Sequence, residues 1–265
     1  MNHANAQKYV NVFDQMGVDW EAIVNVRDTL RETDFIQNVL PRRGITLDLC
    51  CGTGRHSIAL SQRGLNMVGL DLSKNLLMIS KRRMKREEVE FPLVRADMCY
   101  FPFRQQVFDA VISMFTSFGY LPSESEDLKS FMEVQRTLQK GGQFLLDVAN
   151  RDYIIRVFQE KEWAEFEPFY MLEKRSLDLQ TSRLISQWTI IRKGTKEAKS
   201  LQHIVRLYTV KGLKKMLGKT GLTVREVYGG YDGKEFSSDS SRMIVLAERT
   251  PSQAGARMRA RILSV

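Results

Sequence analysis

The chain has 265 residues, 43% hydrophobic and 27% charged, which excludes disordered and collagen-like classes and suffices for one large domain or a domain with an insertion. No apolar run approaches the roughly 20 residues that cross a bilayer, and residues 1–8 lack an apolar signal core, so a cytoplasmic location and no membrane partner are expected. The net charge of +9 admits an anionic partner such as RNA, whereas Cys50, Cys51 and Cys99 match neither a disulfide framework nor a paired zinc spacing, so no metal is expected.

In chain order, residues 5–16 and 19–40 read as helices, with Val24, Leu30, Ile36, Val39 and Leu40 at roughly helical spacing. Strand 45–50, helix 54–63, strand 66–71 and helix 73–86 follow, with Ser73 suited to an N-cap. The last turns of that helix carry Lys81, Arg82, Arg83, Lys85 and Arg86, either a solvated end that suits the carbonyl pole or an RNA contact. Strand 90–95 precedes an irregular segment. Strand 107–114 leads to helix 124–139, and Gly141-Gly142 turns the chain into strand 143–149. This alternation predicts an α/β fold with a mostly parallel sheet covered by helices on both faces.

The rhythm changes near residue 160. Segments 170–179, 183–192 and 202–208 read as antiparallel strands added to the main sheet. Helix 210–220 stops at Gly221, and strands 222–229 and 242–248 pair to finish the sheet. The expected division is a single domain over 1–249, with cap helices in 1–40, a core of 41–158 and 209–249, and a β insertion over 159–208. A basic tail, 250–265, carries Arg257, Arg259 and Arg261.

The most informative stretch is Asp48-Leu49-Cys50-Cys51-Gly52-Thr53-Gly54. An apolar strand, a glycine turn and a helix in that order form a nucleotide cradle, with free N–H groups at the helix start. The spacing departs from the dinucleotide fingerprint, since Ser57 stands where the third glycine is wanted. Asp48 before the turn would repel a pyrophosphate and attract a cation. The ammonium and sulfonium of S-adenosylmethionine suit that field. Asp71 closes strand 66–71, where a carboxylate can accept both hydroxyls of a ribose or can cap the next helix.

Residues 48–54 resemble the first motif of the class I S-adenosylmethionine-dependent methyltransferases, acidic-x-Gly-x-Gly-x-Gly, with Cys50 at the first glycine. The element order over about residues 8–249 is similar to that family's seven-stranded Rossmann-like fold. The β insertion between the fifth and sixth strands looks like its small-molecule N-methyltransferase branch. The resemblance implies S-adenosylmethionine as cofactor and direct methyl displacement. It assigns the cofactor to Cys50, Gly52, Thr53 and Gly54, with Asp48 orienting the turn and facing the methionine amino group. It also assigns Asp71 and Leu72 to the ribose and adenine, Asp97 and Met98 to the adenine edge, and Met114 to the methyl end. Tyr9 would touch the cofactor from the N-terminal helix, where Phe13 also lies.

Because open α/β sheets bind ligands beyond the carboxyl ends of their strands, residues 114–120 should border the transferred methyl. Phe115, Thr116, Phe118 and Tyr120 are candidates for the acceptor wall, with core packing the alternative for each aromatic ring. Asn150 at the end of the fifth strand and Tyr231 near the C-terminal strands are further acceptor candidates. Asp147, Trp188 and His203 are weighed between pocket and structure. His56 is either a base or a structural residue, and the catalytic base stays unassigned. The expected acceptor is a small molecule, methylated on nitrogen or oxygen. An RNA or protein substrate and a non-catalytic cofactor-binding protein are the alternatives.

Overall fold

Strand β1 (Ile45–Leu49) shows why the sheet is buried on both sides. Successive side chains of a strand point to opposite faces. Leu47 and Leu49 meet Val111, Phe144, Leu146 and Val148 in one core. Ala110, Ile112, Leu145 and Met67 face the other core, against Phe35, Ile36, Ile58 and Leu60. Near-continuous apolar runs are what a doubly covered strand requires.

The computed structural model describes residues 12–24, 26–41 and 43–250. β2 (Asn66–Asp71) and β3 (Leu93–Arg95) lie in parallel on one side of β1. β4 (Phe108–Ser113) and β5 (Leu138–Ala149) lie in parallel on the other side. β11 (Arg242–Arg249) and β10 (Leu222–Tyr228) then add antiparallel, giving the seven-stranded order β10-β11-β5-β4-β1-β2-β3. The winding reverses between β1 and β4, which places a crevice at their carboxyl ends.

The helices are α1 (residues 12–16), α2 (Asp19–Ile23), α3 (Val26–Val39), α4 (Arg55–Gln62), α5 (Lys74–Arg86), α6 (Glu124–Thr137), α7 (Arg151–Arg156) and α8 (Val210–Lys219). Ser73, Ser123, Asn150 and Thr209 cap α5 to α8, each accepting a backbone N–H of the first turn. No described helix is long and apolar enough to cross a membrane.

Three expectations change. The helix expected over 19–40 breaks at Val24, whose backbone is extended, so α2 and α3 are separate. β5 starts at Leu138, directly after α6, and a register shift against β4 absorbs the Gly141-Gly142 turn. The inserted strands form a sheet of their own instead of extending the main one. β6 (Lys161–Glu165), β7 (Phe169–Asp178), β8 (Arg183–Arg192) and β9 (Ala198–Arg206) pair in that order. β6 escaped notice because Lys-Glu-Trp-Ala-Glu is short and mostly charged.

The inner face of this second sheet closes over the N-terminal helices. Phe169, Trp188, Ile190 and Leu201 pack with Val12 and Met16. Buried Asp19 of α2 is tied to Arg192 at 2.9 Å and Lys199 at 3.5 Å. α1 and α2 are thereby held between the insertion and the main domain.

Gly119 joins the loop after β4 to β9. Its φ is +104°, and an added Cβ would lie 2.5 Å from the Arg206 carbonyl oxygen. The Arg206 N–H also donates to the Gly119 carbonyl at 2.8 Å, so that backbone cannot withdraw without losing a bond. Gly119→Ala is expected to destabilise the fold by at least about 2 kcal/mol, from left-handed strain and overpacking together. A denaturant midpoint equal to wild type would refute this.

Candidate active site

A cavity opens at the carboxyl ends of β1, β2 and β4. Its empty space is about 960 Å³, open solvent at the mouth included. Its floor is the turn after β1. Cys50, Gly52 and Gly54 all have positive φ, at 62°, 55° and 75°. Left-handed backbone at Cys50 costs about 1–2 kcal/mol relative to ordinary conformations, a penalty that glycine would avoid. Cys50, Gly52 and Thr53 border the cavity. Gly54 does not; it lets α4 approach α5, since an added Cβ would lie 2.3 Å from the Ser80 hydroxyl.

The acidic strand ends differ in position. Asp48 is 1% exposed and lies beneath the turn, where its carboxylate accepts the Ser57 hydroxyl at 2.5 Å. Burial raises its pKa, with His56 and Ser57 opposing. It is absent from the cavity wall and braces the turn from below, so of the expected roles the structure displays the one of orienting the turn. A β1 side chain on that face points under the turn. Asp71 does reach the cavity. Its oxygens accept the Gly52 and Ser73 N–H groups, each at 2.8 Å. Burial pushes its pKa up to about 6. Asp97 borders the same end and accepts the Cys99 N–H at 2.8 Å. Leu72, Met98 and Met114 also line the wall.

The opposite end is aromatic. Phe13 meets Trp20 at 5.1 Å and Tyr120 at 5.3 Å, and Trp20 meets Phe115 at 6.2 Å, all edge to face. Trp188 stacks behind Trp20 at 6.3 Å. His203 lies 4.2 Å from Trp188, and burial pushes its pKa down to about 4, so this second layer stays neutral. Phe115 and Thr116 both have φ of 59°, a strained pair for non-glycine residues.

Asp147, fully buried, holds that pair in place. Its carboxylate accepts the Phe115 N–H at 2.8 Å, and its carbonyl accepts the Thr116 N–H at 2.9 Å. Arg242 donates to Asp147 at 2.8 Å and to the Thr116 hydroxyl at 2.9 Å. Tyr231 donates to the same carboxylate at 2.5 Å, and burial pushes its phenol pKa up.

Phe115, Thr116 and Tyr120 therefore stand on the cavity wall, and three other acceptor candidates do not. Phe118 is fully buried and stacked on Phe131 at 4.7 Å, a core residue. Asn150 caps α7 and donates to the Ser240 carbonyl at 2.8 Å. Tyr231 is turned to Asp147 and packs on Phe35. Tyr9 lies outside the described residues. Wall residues that the sequence did not assign to the site include Arg55, Trp20 and Val24, the last expected only as part of a helix's apolar face. A basic residue directly after the glycine turn, in an otherwise apolar helix face, was the available signal for Arg55.

A methyltransferase-domain family model matches residues 46–142. YqeM of Bacillus subtilis (strain 168), named as a methyltransferase without a substrate, is 26% identical over 221 residues, covering 82% of this chain and 89% of its own. Among solved structures, the CcbJ methyltransferase of Streptomyces caelestis matches with a TM-score of 0.79 at 16% identity, over 92% of this chain and 98% of its own. CalS10 of Micromonospora echinaspora, an amino pentose methyltransferase solved with S-adenosylmethionine bound, matches with a TM-score of 0.67 at 18% identity. That match covers 88% of this chain and 95% of CalS10. At these identities the structural likenesses establish a shared fold.

Proposed function

We propose that the chain is a class I S-adenosylmethionine-dependent methyltransferase, as the methyltransferase-domain match over residues 46–142 and the fold support, and that it methylates a nitrogen or oxygen of a small molecule held against Phe115 and Tyr120. The cofactor is S-adenosylmethionine, which brings a methyl group already activated on a sulfonium. The residues present fit it. A carboxylate offers about four lone-pair sites. Asp71 has backbone N–H donors on two of them and has room for a pair of ribose hydroxyls. Leu72 and Met98 give adenine an apolar slot, and Asp97 offers an acceptor for its amino group.

The chain's own contribution is alignment and exclusion of water. Such alignment is worth about 7–11 kcal/mol in well-oriented systems. The observation that carries the small-molecule reading is the closed aromatic end. Phe13, Trp20, Phe115 and Tyr120 form a compact wall roofed by α1, α2 and the inserted sheet. CalS10 is an amino pentose methyltransferase, and its likeness in fold supports an amine on a small scaffold as acceptor. Of the basic cluster on α5, Arg83 turns back to the Thr53 hydroxyl at 3.3 Å and to Glu21 at 3.3 Å, while the end of the helix lies away from the cavity. Arg86 is about 15 Å beyond Leu76, the last α5 residue on the cavity wall, by helix rise.

Transfer of a labelled methyl group from the cofactor should be assayed over aminosugars, simple amines, small alcohols and RNA. Label is expected in a small amine or alcohol. Label in RNA alone would overturn the proposal. Trp20→Ala removes one side of the aromatic end. It is expected to raise the acceptor KM by roughly tenfold, in line with loss of a buried aromatic contact. Cofactor affinity should change by less than about threefold, corresponding to under ~0.7 kcal/mol. An unchanged acceptor KM would remove Trp20 from the wall.

A further inference from the structure

Tyr120 and Leu121 stand between two carbonyls, and each carbonyl is taken by an arginine of the inserted sheet. Arg206 donates its backbone N–H to the Gly119 carbonyl at 2.8 Å, and the Arg183 guanidinium donates to the Pro122 carbonyl at 2.6 Å. Arg183 on β8 and Arg206 on β9 are direct cross-strand partners. Like charges opposite each other in an antiparallel pair are destabilising. Asp178, which faces Arg183 from β7, has both oxygens taken by Gln180 and Thr181.

Asp127 on α6 supplies the charge this pair lacks. It is fully buried, and Arg206 Nε lies 3.3 Å from its Oδ2. Neither carboxylate oxygen has an aligned hydrogen bond. A buried carboxylate of that kind is costly unless opposite charge faces it. Burial pushes its pKa up to about 6, with Glu124 adding to the rise and Tyr208, Arg206 and Arg183 pulling the other way. The group is therefore ionised at about pH 8. Phe131 and Val134 of the same helix belong to the core of the main domain. Asp127 thus ties the two arginines to that domain, although it lies outside the cavity wall.

We propose that Asp127 is a positioning residue: its carboxylate holds the Arg183–Arg206 pair against α6, and the pair sets where Tyr120 stands in the cavity wall. Its bearing on methyl transfer rests on the reading that this wall holds the acceptor.

Two measurements at about pH 8 test it: hydrogen exchange at the Arg206 amide, and fluorine NMR of protein labelled with 3-fluorotyrosine. Asp127→Asn, nearly identical in shape, is expected to speed exchange at that amide by at least about tenfold, as loss of a charged contact implies. Amides of β1 should keep their wild-type rates, which separates local release from general destabilisation. The Tyr120 line, assigned by its loss in Tyr120→Phe, should shift or broaden while the Tyr228 line stays. Arg206→Gln, which keeps the backbone N–H, should do the same. The Asp127→Asn, Arg206→Gln double variant should show no larger effect than the single variants, since both act through one contact. An unchanged Arg206 amide and Tyr120 line in folded Asp127→Asn overturns the proposal, and so do additive effects in the double variant. Movement of Tyr120 with a wild-type rate of labelled-methyl transfer to the small amines and alcohols leaves the clamp standing and overturns the acceptor-wall reading instead.

Discussion

Asp147→Ala is expected to destabilise the protein by about 3–5 kcal/mol, the usual consequence of removing one partner of a buried ion pair. Asp147 is fully buried, and Arg242 pairs with it at 2.7 Å with a side chain 21% exposed. The variant would strand Arg242, the Tyr231 hydroxyl and the Phe115 N–H together. The loss reaches the chemistry because the left-handed pair Phe115–Thr116 has no other acceptor for the Phe115 amide. Methyl transfer should therefore fall by more than the unfolded fraction accounts for. Asp147→Asn keeps one acceptor oxygen, enough for the Phe115 N–H and the Tyr231 hydroxyl, and should cost less than alanine even though its amide N–H then faces the Arg242 guanidinium. Urea unfolding of both variants checks the ranking, and an alanine variant within about 1 kcal/mol of wild type would contradict it.

Asp71→Ala is expected to weaken binding of S-adenosylhomocysteine by more than tenfold with folding retained, since charge-assisted hydrogen bonds contribute about 1.5–3 kcal/mol. The pH dependence carries the same signature. Burial holds Asp71 near 6 in the folded protein, above its ordinary 3.8. The folded state thus binds the proton more tightly than the unfolded chain does. Through this group, stability declines as pH rises from about 4 to about 6. Ligand affinity runs the other way. Hydroxyl donors need the ionised carboxylate, so affinity should fall toward tenfold per unit below about pH 6 and level off above it. Calorimetry across pH 5 to 8 should show that slope in wild type, and Asp71→Asn should lack it. The same slope in the asparagine variant would place the titrating group elsewhere.

Much of the frame was legible because its signals are local. Leu47, Leu49, Val111 and Ile112 sit in apolar runs, and Ser73 and Gly221 mark element ends by their own chemistry. The site was less so, for physical reasons. Phe115 and Phe118 are identical in type and three residues apart. The left-handed backbone at 115–116 sends one to the cavity and the other to the core, and no periodicity reports such a turn. Tyr231 and Asn150 were credited to the acceptor because they carry polar groups near strand ends. Their partners, Asp147 and the 237–240 turn, are about 90 residues away in sequence. The separate inserted sheet depends on its packing against α1 and α2, a contact between distant segments.

A crystal structure with S-adenosylhomocysteine is the most direct measurement. The account predicts the ribose on Asp71, the adenine beside Leu72 and Asp97, and the sulfur turned toward Phe115 and Tyr120. A nucleoside bound away from Asp71, or a sulfur facing away from the aromatic wall, would contradict it.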